Sequence, residues 1–194
     1  MTGFVLNALL FIITAVITLT VFRKDHRWDL QRGKKAMRFF TMQSNVLCAV
    51  TACLMSLFPR NSTVWCLKYI GTAAVTVTMM TVFLLLAPSI GKGGLRQLLR
   101  GRDLFLHLLN PLMALISFCI FEKRSMRFGC ALTGMIPVAR YGPWYLYKIR
   151  FAPERKRWDD FYGFNKGGKW PAYFTGMMIG TFLICMAVMQ LQNL

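Results

Sequence analysis

Six stretches of this chain stay apolar over about the 20 residues that a helix needs to cross the hydrocarbon core of a bilayer. They run from Gly3 to Phe22, Ala36 to Phe58, Leu67 to Ala87, Leu104 to Phe121, Phe128 to Ile149 and Ala172 to Leu191. Backbone polar groups in lipid must be satisfied within the protein, and helices do this segment by segment. The expected fold class is therefore all-α: a polytopic integral membrane protein with six transmembrane helices packed as one bundle over residues 1–194. No repeat of fixed period is evident, and no soluble domain can be cut out.

The chain carries 24 Lys and Arg against 7 Asp and Glu, a net charge of +17. That excess could suggest nucleic acid, but the basic residues fall between the apolar blocks, where they act as topology signals and contacts for anionic headgroups. No folded basic domain is left to bind nucleic acid. The partner expected from this charge pattern is the bilayer. The first, third and fifth loops, counted with Arg38 and Lys148 at their edges, hold 18 Lys and Arg, and the second and fourth, counted with Lys68, hold 5. The positive-inside rule then puts those three loops in the cytoplasm and both termini outside, in the cell membrane. The first segment has no charge before it and no small-residue cleavage site, so it is expected to remain as a reverse anchor.

The six cysteines form no CxxC pair and have no histidine at metal-ligand spacing, so neither a metal nor a cofactor is expected. The topology brings Cys66 and Cys130 to the same outer face, where a disulfide and a pair of free thiols are both compatible with the sequence. Gly163 to Lys169 spells G-x-x-x-x-G-K, but Trp170 stands where a nucleotide loop needs Ser or Thr, and no strand precedes it. This fifth loop reads instead as an aromatic cap beneath the bundle, with Trp158, Tyr162, Trp170 and Tyr173 at headgroup level. The first loop, Arg23 to Arg38, reads as one interfacial segment. Ala172, Gly176 and Gly180 line one face of the last segment and mark a packing surface, within the chain or in a homo-oligomer.

Two polar groups interrupt the apolar segments. Thr41, Ser44 and Asn45 share one helical face, and Asp103, His107 and Asn110, followed by Pro111, share another. Polar side chains at membrane depth must face a bundle interior, which makes them the first functional candidates. The topology sets both groups about one turn inside the cytoplasmic leaflet. A threonine becomes a nucleophile when a base takes its proton, and His107 is the available imidazole. Asp103 could orient that ring, while Asn45, Ser44 and Asn110 could bind an oxyanion or substrate. The same groups could equally bond helix to helix, or line the pathway of a small-molecule or lipid transporter. Arg140 lies inside the fifth segment and should meet an anion, either Asp103 or the carboxylate of a substrate.

The Phe40-Thr41-x-x-Ser44-Asn45 stretch opening one helix, a histidine opening a later one with Pro111 about a turn on, and the six-segment layout resemble a known family. This is the androgen-induced and androgen-dependent membrane hydrolases with their bacterial relatives. The resemblance implies Thr41 and His107 as the catalytic pair, and fatty acid esters of hydroxy fatty acids as substrates.

Overall fold

The computed structural model describes residues 2–194. The chain is mostly helical and all-α apart from one two-residue-per-strand hairpin. Five helices are long and apolar enough to cross a membrane: α1 (Thr2–Val21), α3 (Phe40–Leu57), α4 (Ser62–Ile90), α6 (Arg102–Phe121) and α9 (Trp170–Asn193). Shorter helices lie between them: α2 (Leu30–Ala36), α5 (Gly94–Leu98), α7 (Phe128–Thr133) and α8 (Ile136–Leu146).

The expected fifth segment is broken, because α7 ends at Thr133 and α8 begins at Ile136. Pro137 has no N–H to carry the ladder back across this point, and Gly134 turns the chain. Gly134 is also required sterically: a Cβ there would lie 2.6 Å from the Tyr69 hydroxyl and 2.8 Å from the Cys185 sulfur.

The first loop divides into two elements. It folds as a hairpin pairing Arg23 with Trp28 and Lys24 with Arg27, then as α2. Asp25 and His26 form its turn at φ 48° and 62°, the left-handed conformation that a two-residue hairpin turn demands. The Asp29 carboxylate caps α2 by accepting the Arg32 N–H at 2.9 Å. Ala36 belongs to α2, so the second long helix starts at Phe40 and Thr41 falls in its first turn.

Four helix stretches widen into π-turns. Three of them, Val82–Leu86, Phe105–Leu109 and Tyr147–Phe151, end just before an X-Pro pair: Ala87-Pro88, Asn110-Pro111 and Ala152-Pro153. A proline cannot donate to the carbonyl four residues back, and the residue before it reaches back five instead. Ala87 bonds Val82, Asn110 bonds Phe105 and Ala152 bonds Tyr147 in this way.

Helix α4 is the hub, touching α3, α6, α8 and α9, while α1 packs on α3 and α6. Gly71 lets α4 approach α3 closely, since a Cβ there would sit 3.0 Å from the Cys48 Cα and collide with the Thr51 hydroxyl. By contrast, the small-residue face of α9 meets no neighbour within the chain: a Cβ added at Gly176 or Gly180 finds nothing within 4 Å.

Along the axis between α1, α3, α4 and α6 the core is layered. Near the end that carries both termini lies a polar layer of Asn7, Lys68, Ser117 and Glu122. An apolar layer follows, made of Leu10, Cys48, Ala52, Val75 and Ala114. Toward the end that carries the hairpin lies a second polar layer with Ser44, Asn45, Thr78 and Asn110.

Candidate functional site

Thr41 faces a cavity of about 390 Å³ enclosed by α3, α4, α8 and α9. Val77, Val82, Val138 and Met177 make its apolar walls, and Thr78, Thr81, Ser89 and Tyr141 add hydroxyls. The segment Phe161–Phe164 closes one side, and Lys166 stands at the rim. Its lining is that of a ligand site: mostly apolar, with a few converging polar groups.

The closing segment is held by a single carboxylate. Asp160 accepts the Tyr145 hydroxyl at 2.9 Å, the Phe164 N–H at 2.9 Å and the Asn165 N–H at 2.7 Å. Aromatic rings fill the space beneath it: Phe39 on Phe161 at 4.3 Å between centroids, and Phe40 on Tyr141 at 5.1 Å. The Tyr162 oxygen accepts the Phe40 N–H at 3.0 Å, supplying a partner for one of the donors that the first turn of α3 leaves free. Desolvation pushes the Tyr162 phenol up, against the opposing pull of the Phe40 N–H and of the neighbouring Thr41 and Tyr141 hydroxyls. It therefore stays neutral and can donate. The aromatic cap expected from the fifth loop thus covers Thr41.

His107 is placed elsewhere. Its Nδ1 lies 2.8 Å from the Leu98 carbonyl at the end of α5, and it forms no hydrogen bond with Thr41. Asp103 does not orient the ring either: its carboxylate is 4.0 Å from the Arg102 guanidinium, with both side chains about half exposed. The spacing of four that would align Asp103 with His107 assumes a regular helix, and the π-turn at Phe105–Leu109 rotates the histidine off that line.

Asn45, Ser44 and Asn110 spend their donors inside the helix interface rather than on the cavity. The Asn45 amide donates to the Thr41 carbonyl at 2.7 Å and the Leu106 carbonyl at 3.1 Å. The Asn110 amide donates to the Asn45 side-chain oxygen. The Ser44 hydroxyl lies 3.1 Å from the Thr41 carbonyl and 2.8 Å from the Thr78 hydroxyl. These three act as helix-to-helix ties, the plainest of the three roles that their spacing allows.

Arg140 does not pair with Asp103, whose carboxylate lies beside Arg102. It is exposed on α8 and lines a separate groove on the other side of Phe40 and Tyr141.

The most enclosed charge is one that counting loops had hidden. Lys68 is 0% exposed within α4, and its Nζ has no hydrogen-bond partner. Glu122, 8% exposed, accepts at Oε1 from the Asn7 amide and from the Ser117 hydroxyl at 3.0 Å, leaving Oε2 unpartnered. Trp65 donates to the Glu122 carbonyl at 2.8 Å, bringing the face of α4 that carries Lys68 against this group. The available signal was periodic: Trp65, Lys68 and Thr72 fall on one helical face. At the same end the sulfurs of Cys66 and Cys130 lie 3.3 Å apart as free thiols. No cluster of three or more metal-type ligands occurs among the described residues.

The fold and site define an all-α protein of membrane type with a partly open, mostly apolar cavity. Compared with protein-family models, curated proteins and solved structures, the chain matches none.

Proposed function

We propose that this chain is a six-span membrane protein that holds a single-chain lipid in the cavity beside Thr41. In this reading the broken stretch of α7 and α8 counts as one crossing, both termini face outside, and the Phe161–Phe164 cap lies on the cytoplasmic side. The loop charge bias supports that orientation. A periplasmic reporter fused after Leu194 should be active, and a silent one would reverse the topology.

One observation carries the lipid reading: a cavity of about 390 Å³, walled by aliphatic and aromatic side chains, has Thr41 and the Tyr162 phenol at one side and Lys166 at the rim. An acyl chain satisfies the walls, and its polar end meets the hydroxyls. A transport pathway along the bundle axis fits less well, because Leu10, Cys48, Ala52, Val75 and Ala114 form an apolar layer between the two polar ones. A photoactivatable fatty acid should crosslink to cavity residues such as Met177 and Leu85 in the wild type. Thr41→Trp, which fills the cavity, should abolish those crosslinks. Their persistence would refute the assignment.

A second reading, hydrolysis of a lipid ester with Thr41 as nucleophile, is favoured by the position of Thr41 on the cavity wall next to Tyr162. A neutral phenol can donate to a developing oxyanion. His107 lies outside the cavity lining, so its service as base would require it to leave the Leu98 carbonyl and turn toward α3. A fluorophosphonate probe should label Thr41 and fail to label Thr41→Ala; no labelling of folded, lipid-binding protein would remove hydrolysis.

A further inference from the structure

The groove that contains Arg140 is distinct from the Thr41 cavity and has a volume of about 970 Å³. One wall is α3, presenting Phe40, Gln43 and Leu47, and the other is α8, presenting Pro137, Arg140 and Trp144. Tyr141 and Phe40 border both spaces and separate them.

Arg140 is exposed there without an ion pair or hydrogen bond, and no acidic side chain lines the groove. Other polar groups around it are engaged. The Tyr141 hydroxyl donates to the Arg38 carbonyl at 2.7 Å, and the Gln43 amide donates to the Met37 carbonyl at 2.9 Å. Ser44 is held by Thr41 and Thr78. The guanidinium is therefore the group in this groove that still requires an anion.

The exposed face of α8 continues from Arg140 to Trp144 one turn on and Tyr147 after it, with Lys148 Nζ 4.7 Å from the Trp144 ring centroid. Amphipathic rings beside cations are the side chains that settle at the headgroup level of a bilayer. Leu47 and Pro137 extend the apolar floor in the direction that acyl chains would take. A planar guanidinium matches phosphate with two parallel hydrogen bonds, which an ammonium cannot do.

We infer that the α3–α8 groove binds one anionic phospholipid, its phosphate on the Arg140 guanidinium and its chains along Leu47 and Pro137. The site rests on the membrane reading of α8, but not on the Thr41 cavity. The bilayer supplies this ligand in bulk, so the groove would be filled constantly and would tie α8 to α3.

The test uses the full chain in detergent, with lipids counted by native mass spectrometry. Wild-type protein should retain one phosphatidylglycerol in preference to phosphatidylcholine. Arg140→Gln should weaken that retention at least about tenfold, the loss expected for a charge-assisted bidentate pair, and Arg140→Lys should fall between the two. Thr41→Trp should leave the count unchanged, because it fills only the other cavity. Equal retention of the two lipids, or equal retention by Arg140→Gln, would overturn the site. So would loss of the bound lipid in Thr41→Trp, which would place it in the cavity. Displacement of phosphatidylglycerol by equimolar oleate would assign the groove to fatty acids and equally overturn the proposal.

Discussion

Lys68 and Glu122 allow the core energetics to be tested directly. Both are enclosed, yet they form no ion pair within 4.0 Å, and Lys68 makes no hydrogen bond at all. At an effective dielectric constant near 20, unit charges more than about 4 Å apart attract by less than about 4 kcal/mol. Desolvation costs several kcal/mol per ion, so the attraction does not repay the burial of both. The two side chains differ in their other support. Glu122 keeps the Asn7 and Ser117 donors when Lys68 is removed, whereas Lys68 keeps nothing when Glu122 is neutralised. Glu122→Gln should therefore destabilise by about 3 kcal/mol, in the range for stranding a buried charge. Lys68→Met should lose only about 1 kcal/mol. The double variant should come within about 1 kcal/mol of the wild type, as when a buried pair is replaced by uncharged groups. Unfolding in detergent reads these effects, at about 2–4 °C of midpoint per kcal/mol for a chain of this size. A double-mutant cycle coupling below about 0.5 kcal/mol would show that the two groups do not interact. A double variant less stable than either single one would refute the desolvation argument altogether.

Asp160→Ala strands three donors that hold the cap, and should lower stability by about 2–4 kcal/mol while opening Lys166 and Lys169 to trypsin; an unchanged digestion pattern would contradict the role of Asp160. Tyr162→Phe removes the acceptor for the Phe40 N–H and should cost about 1 kcal/mol. Because the phenol is raised in the folded state, its contribution is complete below the ordinary phenol value near 10 and is lost as pH rises beyond it. The difference between wild type and Tyr162→Phe should thus shrink above about pH 10, and a difference that grows would reverse the sign. Gly134→Ala forces the Tyr69 hydroxyl and Cys185 apart and should destabilise by about 1–3 kcal/mol, seen as an earlier thermal midpoint. Mild oxidation should join Cys66 to Cys130 within one chain, giving a mobility shift on non-reducing gels that Cys66→Ser abolishes.

Helical content, the long apolar elements and the clustering of basic residues in loops were legible from the sequence, because each depends on local composition over about 20 residues, the length of a span. The aromatic cap was legible for the same reason, as a run of Trp, Tyr and Phe between basic residues. Partnership was not legible. Thr41 lies in the first turn of α3 and His107 in the second turn of α6, near the helix starts as the sequence implied, but the π-turn before Pro111 turns the imidazole to Leu98 instead of Thr41. The Asp160 carboxylate, inconspicuous in a charged loop, organises the cap because the chain folds back to bring Tyr145 against it. Lys68 was counted with a loop because it lies one residue inside a hydropathy boundary, and its enclosure arises from α3 and α6 packing on α4. Arg140 shows the converse: its position inside an apolar segment suggested an anionic partner, and the bundle leaves that face of α8 open, away from Asp103. Composition along the chain determines which segments leave water; which side chains then meet depends on helix rotation and crossing, set by contacts between residues far apart in sequence.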